Sequence, residues 1–167
     1  MRCRQNWSET CETTLNEQIR AELQASYHYQ ILGSYFYRDD IGLDKLGDYF
    51  NKASLEEREH ADKFIKYQNK RGGIVTFSPL NSPNLQLSKE FCVIESFKIA
   101  LTLERLVNEQ LLTLHQTAEK DPQFSDFIEG EFLEEQVDGI SDISKKISQL
   151  ELIGRDGHGI LEFIDKL

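Results

Sequence analysis

The distribution of proline constrains this chain more than any other sequence feature. Only three prolines occur in 167 residues, Pro79, Pro83 and Pro122, and they leave long proline-free stretches between them. In those stretches apolar residues recur at intervals of three and four, which is the period of an amphipathic helix. Proline inside a helix removes a backbone hydrogen bond and clashes with the preceding turn, so its absence permits long helices. The sequence therefore predicts an all-α fold.

Helix start and stop signals divide the chain into five predicted helices. Ser8 is a suitable N-cap for the first helix, and Asp121 followed by Pro122 is a strong start signal for the fourth. The cations and glycines of residues 70–73 are typical of a helix C-terminus and end the second. The predicted helices cover about residues 9–38, 44–71, 89–120, 122–153 and 158–166 of a single domain, residues 1–167.

A stretch of turn-forming residues separates the second helix from the third. Residues 73–88 are rich in Gly, Pro, Ser and Asn and cannot continue a helix. About 16 extended residues reach roughly 53 Å, whereas a helix of about 30 residues is about 45 Å long. This segment can therefore traverse the bundle. The sequence predicts a four-helix bundle with one long crossover between helices two and three and a short C-terminal fifth helix, which is the ferritin-like arrangement.

Carboxylates dominate the charge of the chain. The 29 Asp and Glu residues against 19 Lys and Arg give a formal net charge of −10. This excess disfavours binding to nucleic acid and favours cationic partners, including metal ions. The apolar runs are far shorter than the roughly 20 residues that a membrane-spanning helix needs. Because the first residues show neither a secretory nor an organelle-import pattern, the expected location is the cytoplasm.

One polar residue interrupts the apolar stripe near the midpoint of each long predicted helix. These residues are Glu22, Glu57, Glu104 and Gln136, and His60 lies one turn after Glu57. Helix midpoints lie at one level whatever the helix direction, so three carboxylates are expected to converge inside the bundle. A buried carboxylate without a partner must take up a proton or bind a cation, and these stripes carry no Lys or Arg at that level. The pattern favours a metal site.

The types of ligand narrow the choice of metal. Oxygen ligands with one imidazole and no thiolate suit Fe or Mn and can accept Zn. Inward-facing Glu residues with a Glu-x-x-His motif are also the ligands of di-iron carboxylate bundles. A single core Glu or His is more often a hydrogen-bonded structural residue, so the interpretation depends on the coincidence of four interruptions on four stripes.

Several segments together resemble one family. They are residues 4–7, 21–29, 37–40, 56–61, 68–73, 101–104, 126–129 and 135–136. With them the chain is similar, over nearly its whole length, to a eukaryotic ferritin of the heavy, ferroxidase-active type. The resemblance implies a hollow shell of 24 subunits, built from this chain alone or with other ferritin subunits. Such a shell oxidises Fe(II) with O2 at a di-iron centre inside each subunit and stores Fe(III) as a mineral.

The resemblance also implies a role for individual residues. Glu22, Glu57 and His60 would hold a first iron, with Glu57 bridging to a second iron at Glu104. Tyr29 and Gln136 would complete the ferroxidase centre beside these ligands. The family's mineral-nucleating surface would correspond to Glu56, Glu59 and Asp62. Its three-fold channels, through which Fe(II) enters, would correspond to Asp126, Glu129 and His115.

Some positions depart from related patterns and leave alternatives open. Gln136-x-x-Gly139 stands where more symmetric di-iron bundles have a second Glu-x-x-His, so the second iron is expected to bind weakly. Iron would then be a substrate and not a permanent cofactor. Asp62 and Ser125 replace the more usual Glu and the Cys of vertebrate chains. The alternatives are a catalytically slow structural or storage subunit, or another ferritin-like di-iron oxidase.

Overall fold

Long helices account for most of the chain in a computed structural model that describes residues 2–85, 87–89 and 92–167. The first three are α1 (Glu9–Phe36), α2 (Asp44–Lys70) and α3 (Cys92–Thr117). The fourth long segment consists of α4 (Pro122–Ile128), a π-helical turn (Glu129–Leu133) and α5 (Glu134–Ile153), and α6 (Gly157–Asp165) is short. The described residues form no strand, and the predicted all-α class is confirmed. None of their helices combines the length and apolarity that a membrane span requires.

The helix ends differ from the predicted ones by one to three residues. α1 ends at Phe36, and not at about Arg38, because the chain turns there and the Leu43 amide returns to the Phe36 carbonyl. α3 ends at Thr117, three residues before its predicted end at 120. The reason is a tight turn in which the Asp121 amide donates to the Ala118 carbonyl, and this turn releases Asp121 to cap α4. The predicted start of α3 near residue 89 falls partly outside the described residues.

The predicted fourth helix is not continuous, because a π-helical turn divides it. Its core positions Phe124, Ile128, Phe132 and Gln136 are all buried and lie four residues apart. In an α-helix of 3.6 residues per turn, each such step rotates the side chain by about 40°, so the last of them would leave the core. A turn with i→i+5 hydrogen bonds is wider and offsets this rotation. The π turn thus keeps Gln136 pointing inward.

The described part of the connection between α2 and α3 runs along the surface of α1. The Asn16 side chain donates to the Ile74 carbonyl. About two helical turns later, Gln24 makes two hydrogen bonds with the Asn81 backbone. The segment therefore runs parallel to α1 and delivers the chain to the C-terminal end of that helix. α2 and α3 consequently run in the same direction, as the long crossover predicts.

The apolar core has two parts, one at each end of the bundle. The part near the C-terminal end of α1 includes Leu32, Phe36, Phe50, Phe97, Ile147 and Phe163. The part near its N-terminal end includes Trp7, Leu15, Phe64, Leu114 and Phe124. On all four long segments a buried polar residue lies between the two parts, and these are Glu22, Glu57, Glu104 and Gln136. The fold therefore places one polar layer in the middle of an apolar bundle.

Candidate metal centre

Two neighbouring helices bring three possible ligands together. Glu22 on α1 and Glu57 and His60 on α2 are 2%, 4% and 8% exposed. His60 Nδ1 lies 3.9 Å from Glu22 Oε2 and 3.6 Å from Glu57 Oε2. Ligand atoms about 2.1 Å from one ion lie about 3–4 Å apart, so these spacings fit a shared cation. Among the described residues, this is the group of His, Cys, Asp and Glu side chains whose ligand atoms all lie within 4.8 Å of one another.

The carboxylates of this group are incompletely hydrogen-bonded. Glu22 Oε2 and Glu57 Oε2 are buried and have no hydrogen-bond partner among the described residues. A buried acceptor left without a partner costs about 1–3 kcal/mol, and more if it is charged. Both oxygens face His60 Nδ1, and a divalent cation bound there would satisfy all three atoms. A bound metal ion would therefore satisfy these three side chains better than they satisfy one another by hydrogen bonding.

Proton affinity in the group is unusual for the same reason. Burial raises the pKa of Glu22 well above its ordinary range, and the charge of Glu57 raises it further. Burial also raises the pKa of Glu57 to about 8, with the neighbouring Glu22 carboxyl opposing the shift and the charges of Glu104 and Glu135 adding to it. Without a cation, the pair therefore holds a proton at neutral pH. A metal ion that binds here displaces that proton.

Two contacts fix the orientation of the His60 ring. Its Nε2 lies 3.3 Å from Glu135 Oε2, and Phe132 packs edge-on against it at 5.7 Å between centroids. A histidine that ligates a metal commonly donates its other ring N–H to a carboxylate, which fixes the tautomer. A proton on Nε2, facing Glu135, would leave Nδ1 free towards Glu22 and Glu57. Sequence reasoning missed the role of Glu135 because this residue lies off the apolar stripe.

The other two helical segments supply the second half of the centre. Tyr29 on α1 donates to Glu104 Oε1, and Gln136 Nε2 donates to Glu104 Oε2 at 3.1 Å. Both oxygens of Glu104 thus already accept a hydrogen bond. Burial raises the pKa of Tyr29 well above its ordinary range, and the charge of Glu104 adds to the effect, so the phenol remains a donor. Gln136 Oε1 is buried and has no partner among the described residues.

A cavity of about 170 Å³ joins these residues to the surface. Tyr29, Glu57, His60, Glu104 and Gln136 line its inner part. Tyr49, Glu56, Glu135 and Asp142 also line it. Tyr49 and Asp142 were not predicted, because α2 and α5 bring them together only in the folded bundle. The opening of the cavity is therefore acidic.

The residues of the expected nucleating surface lie on the exposed side of α2. Glu56, Glu59 and Asp62 are all exposed and follow one another at intervals of three. The structure brings Glu56 to the cavity, where it also pairs with Lys52 at 3.4 Å. Glu59 and Asp62 do not line that cavity.

The three residues of the expected channel lie near one end of the bundle. His115, in the last turn of α3, contacts Glu129 in the π turn, with 2.6 Å between Nε2 and Oε1. Asp126 is exposed and lies one turn before Glu129. They are separate from the buried polar layer, and their role stays a prediction.

Comparison with known proteins decides the family. A sequence model of the family described as "Ferritin-like domain" matches residues 12–153. The chain belongs to the ferritin family. It is 46% identical to Ferritin-2, chloroplastic, of Glycine max over 168 residues, covering 98% of this chain and 65% of that ferritin. It is 45% identical to Ferritin-3, chloroplastic, of Vigna unguiculata, with the same coverage of 98% and 65%.

Ferritin-1, chloroplastic, of Brassica napus is 44% identical over an alignment that covers 96% of this chain and 64% of that ferritin. The chain thus spans about two thirds of the length of these plant ferritins. All three names place their proteins in the chloroplast, and the predicted cytoplasmic location is wrong against this finding. That prediction depended on the pattern of the first residues, whereas the plant ferritins extend beyond the part that they share with this chain.

Proposed function

We propose that this chain is a subunit of an iron-storage ferritin and oxidises Fe(II) with O2 at the centre between α1, α2, α3 and α5, as heavy-type ferritins do. The observation that carries the proposal is the pair of buried, unpartnered oxygens of Glu22 and Glu57 facing His60 Nδ1. Family membership makes iron the cation to test first. The plastid is the proposed location, as the names of the plant ferritins suggest.

In this proposal iron is the substrate. Glu22, Glu57 and His60 bind the first Fe(II), and displacement of the shared proton compensates part of its charge. Glu57 also faces Glu104, and together these two carboxylates bind the second Fe(II) beside Gln136. This second ion competes with the hydrogen bonds that Tyr29 and Gln136 already make to Glu104, so it binds more weakly. Two adjacent Fe(II) ions can deliver two electrons to one O2.

The acidic opening of the cavity supports the release of Fe(III). Glu56, Glu135 and Asp142 form a path of carboxylates from the centre to the surface. Glu59 and Asp62 continue this acidic surface along α2, where they would nucleate the mineral inside a shell of 24 subunits. His115, Asp126 and Glu129 would line the channel through which Fe(II) enters that shell. An acidic channel concentrates cations, in agreement with the net charge of −10.

The test is anaerobic loading with two Fe(II) per chain, followed by exposure to O2 while the ferric absorbance is recorded. The wild type is compared with Glu57→Ala/His60→Ala, and with Glu109→Ala on the exposed side of α3 as the control. Fast oxidation in the wild type and the control, with slow autoxidation in the double variant, supports the proposal. Equally slow rates in all three would instead identify a catalytically slow storage subunit.

A further inference from the structure

Gln18 is a buried polar residue that neither the predicted site nor the proposed mechanism uses. It lies one turn before Glu22 on α1 and is 1% exposed. Its side-chain amide donates from Nε2 to Glu22 Oε1 over 2.7 Å. Burying a polar side chain in an apolar bundle costs free energy unless it is hydrogen-bonded, so the bond to Glu22 offsets part of the cost of burying Gln18.

The hydrogen bond divides the two oxygens of Glu22 between two tasks. Oε1 is occupied by Gln18, whereas Oε2 faces His60 Nδ1 at 3.9 Å. A glutamate side chain has three rotatable bonds, and holding one oxygen fixes where the other one points. Gln18 is neutral, so it orients the carboxylate without cancelling the charge that attracts a cation. A Lys at the same position would compete with the metal for Glu22.

A second buried glutamine shows what a structural role looks like in this fold. Gln68 is also fully buried, and both ends of its amide are used. Its Oε1 accepts from Trp7 Nε1 at 3.1 Å, and its Nε2 donates to the Glu12 carbonyl at 2.8 Å. Gln18, by contrast, has an Oε1 atom without a partner among the described residues. Its amide makes one hydrogen bond, and that bond goes to a candidate metal ligand.

We propose that Gln18 is a positioning residue that holds Glu22 ready to bind the first metal ion. This inference rests on the proposed function, because it takes Glu22, Glu57 and His60 as metal ligands. Residues that orient a metal ligand in this way typically change metal affinity by about 10–100-fold when they are replaced. Gln18 therefore governs affinity at the first site and has no direct part in the chemistry.

The experiment uses Co(II), which is not oxidised under these conditions and whose absorbance reports its coordination. Wild type, Gln18→Met and Gln68→Met are titrated anaerobically, and the melting temperature of each apoprotein is measured. Methionine keeps the shape of glutamine and removes its hydrogen bonds. We expect Gln18→Met to weaken the first Co(II) about 10–100-fold and to shift its spectrum. Gln68→Met should lower the melting temperature and leave Co(II) binding unchanged.

Equal Co(II) affinity in wild type and Gln18→Met, or an equal loss in Gln68→Met, would overturn the positioning role. Gln18→Asn provides a second variant if the methionine variant does not fold, since its shorter amide does not reach Glu22 and should weaken binding similarly. The parent proposal is checked separately with Glu57→Ala/His60→Ala. If wild type and this double variant bind Co(II) alike, the metal centre itself is wrong, and the inference about Gln18 fails with it.

Discussion

The two halves of the candidate centre differ in how well they satisfy their own hydrogen bonds. In the half formed by α1 and α2, Glu22 and Glu57 each keep a buried oxygen without a partner among the described residues. In the half completed by α3 and α5, both oxygens of Glu104 accept hydrogen bonds from protein donors. The first half gains most from a cation, whereas the second must give up existing contacts. If the centre binds two ions as proposed, the hydrogen bonds of the apoprotein therefore favour filling the first half before the second.

The largest effects are expected when a carboxylate shared by both halves, or one that belongs only to the second half, is replaced by alanine. Glu57 faces both halves, so Glu57→Ala should remove binding of both metal ions and slow Fe(II) oxidation at least 100-fold, more than the loss of a mere orienting residue. Glu104→Ala should remove only the second ion. Anaerobic Co(II) titration gives the stoichiometry, with no ion expected for the first variant and one for the second. One bound ion in Glu57→Ala would contradict the comparison.

The pKa of Glu57 predicts how the stability of the apoprotein depends on pH. Burial raises this pKa from 4.5 to about 8 in the folded state. Protonated Glu57 therefore favours folding below pH 4.5, and this contribution is lost as the pH rises towards 8. Glu57→Gln mimics the protonated form, so at pH 8 the metal-free variant should be more stable than the metal-free wild type by on the order of 4 kcal/mol.

Urea unfolding of the two chelated proteins at several pH values measures this difference. It should shrink as the pH falls to about 4.5, where both side chains are neutral. Glu59→Gln, on the exposed side of the same helix, serves as the control and should follow the wild type. A constant difference at all pH values would mean that the titration of Glu57 is not its cause. Saturating Co(II) should reverse the order of stability, because only the wild type gains binding energy.

A smaller effect is expected from the contact that orients His60. Glu135→Gln keeps an acceptor near His60 Nε2 but removes the negative charge, which is 3.3 Å from that nitrogen. Because the Glu135 side chain is 56% exposed, the loss should lie at the lower end of the usual range, about tenfold in the affinity for the first ion. Isothermal titration with Co(II) measures it, and Glu134→Gln is the matched control. An unchanged affinity would remove Glu135 from the centre.

The sequence predicts the polar layer because burial and helical period are local signals. Glu22, Glu57, His60, Glu104 and Gln136 all lie on apolar stripes, and the structure places each of them in the interior. The four apolar stripes and the long crossover were also sufficient to predict the four-helix arrangement. These features need only the spacing of residues along one helix and the length of one connection.

Two of the features that were not predicted have a local signal in the sequence, whereas a third depends on the packing of several segments. The π turn has a signal, since Phe124, Ile128, Phe132 and Gln136 recur at intervals of four without the interval of three that an α-helix needs. Gln18 also has helical spacing, since it lies three residues after Leu15 and four before Glu22, although the apolar stripe through Ile19 fits as well. Glu135, however, reaches His60 only because the π turn rotates α5, and no local pattern predicts that contact.

The smallest effect is expected from a variant in the second half of the centre, at the hydrogen bond between Tyr29 and Glu104. Tyr29→Phe removes the donor to Glu104 Oε1 and leaves the aromatic ring in the core, where it stacks near Phe50. The loss of one hydrogen bond to a buried carboxylate should cost the apoprotein about 1–2 kcal/mol in urea unfolding. Affinity for the first Co(II) should stay within about twofold, because Tyr29 contacts none of Glu22, Glu57 and His60 by a hydrogen bond; orienting residues of a ligand change affinity far more. A tenfold weaker first site would show instead that the two halves form one coupled network, and that metal binding at one of them reorganises the other.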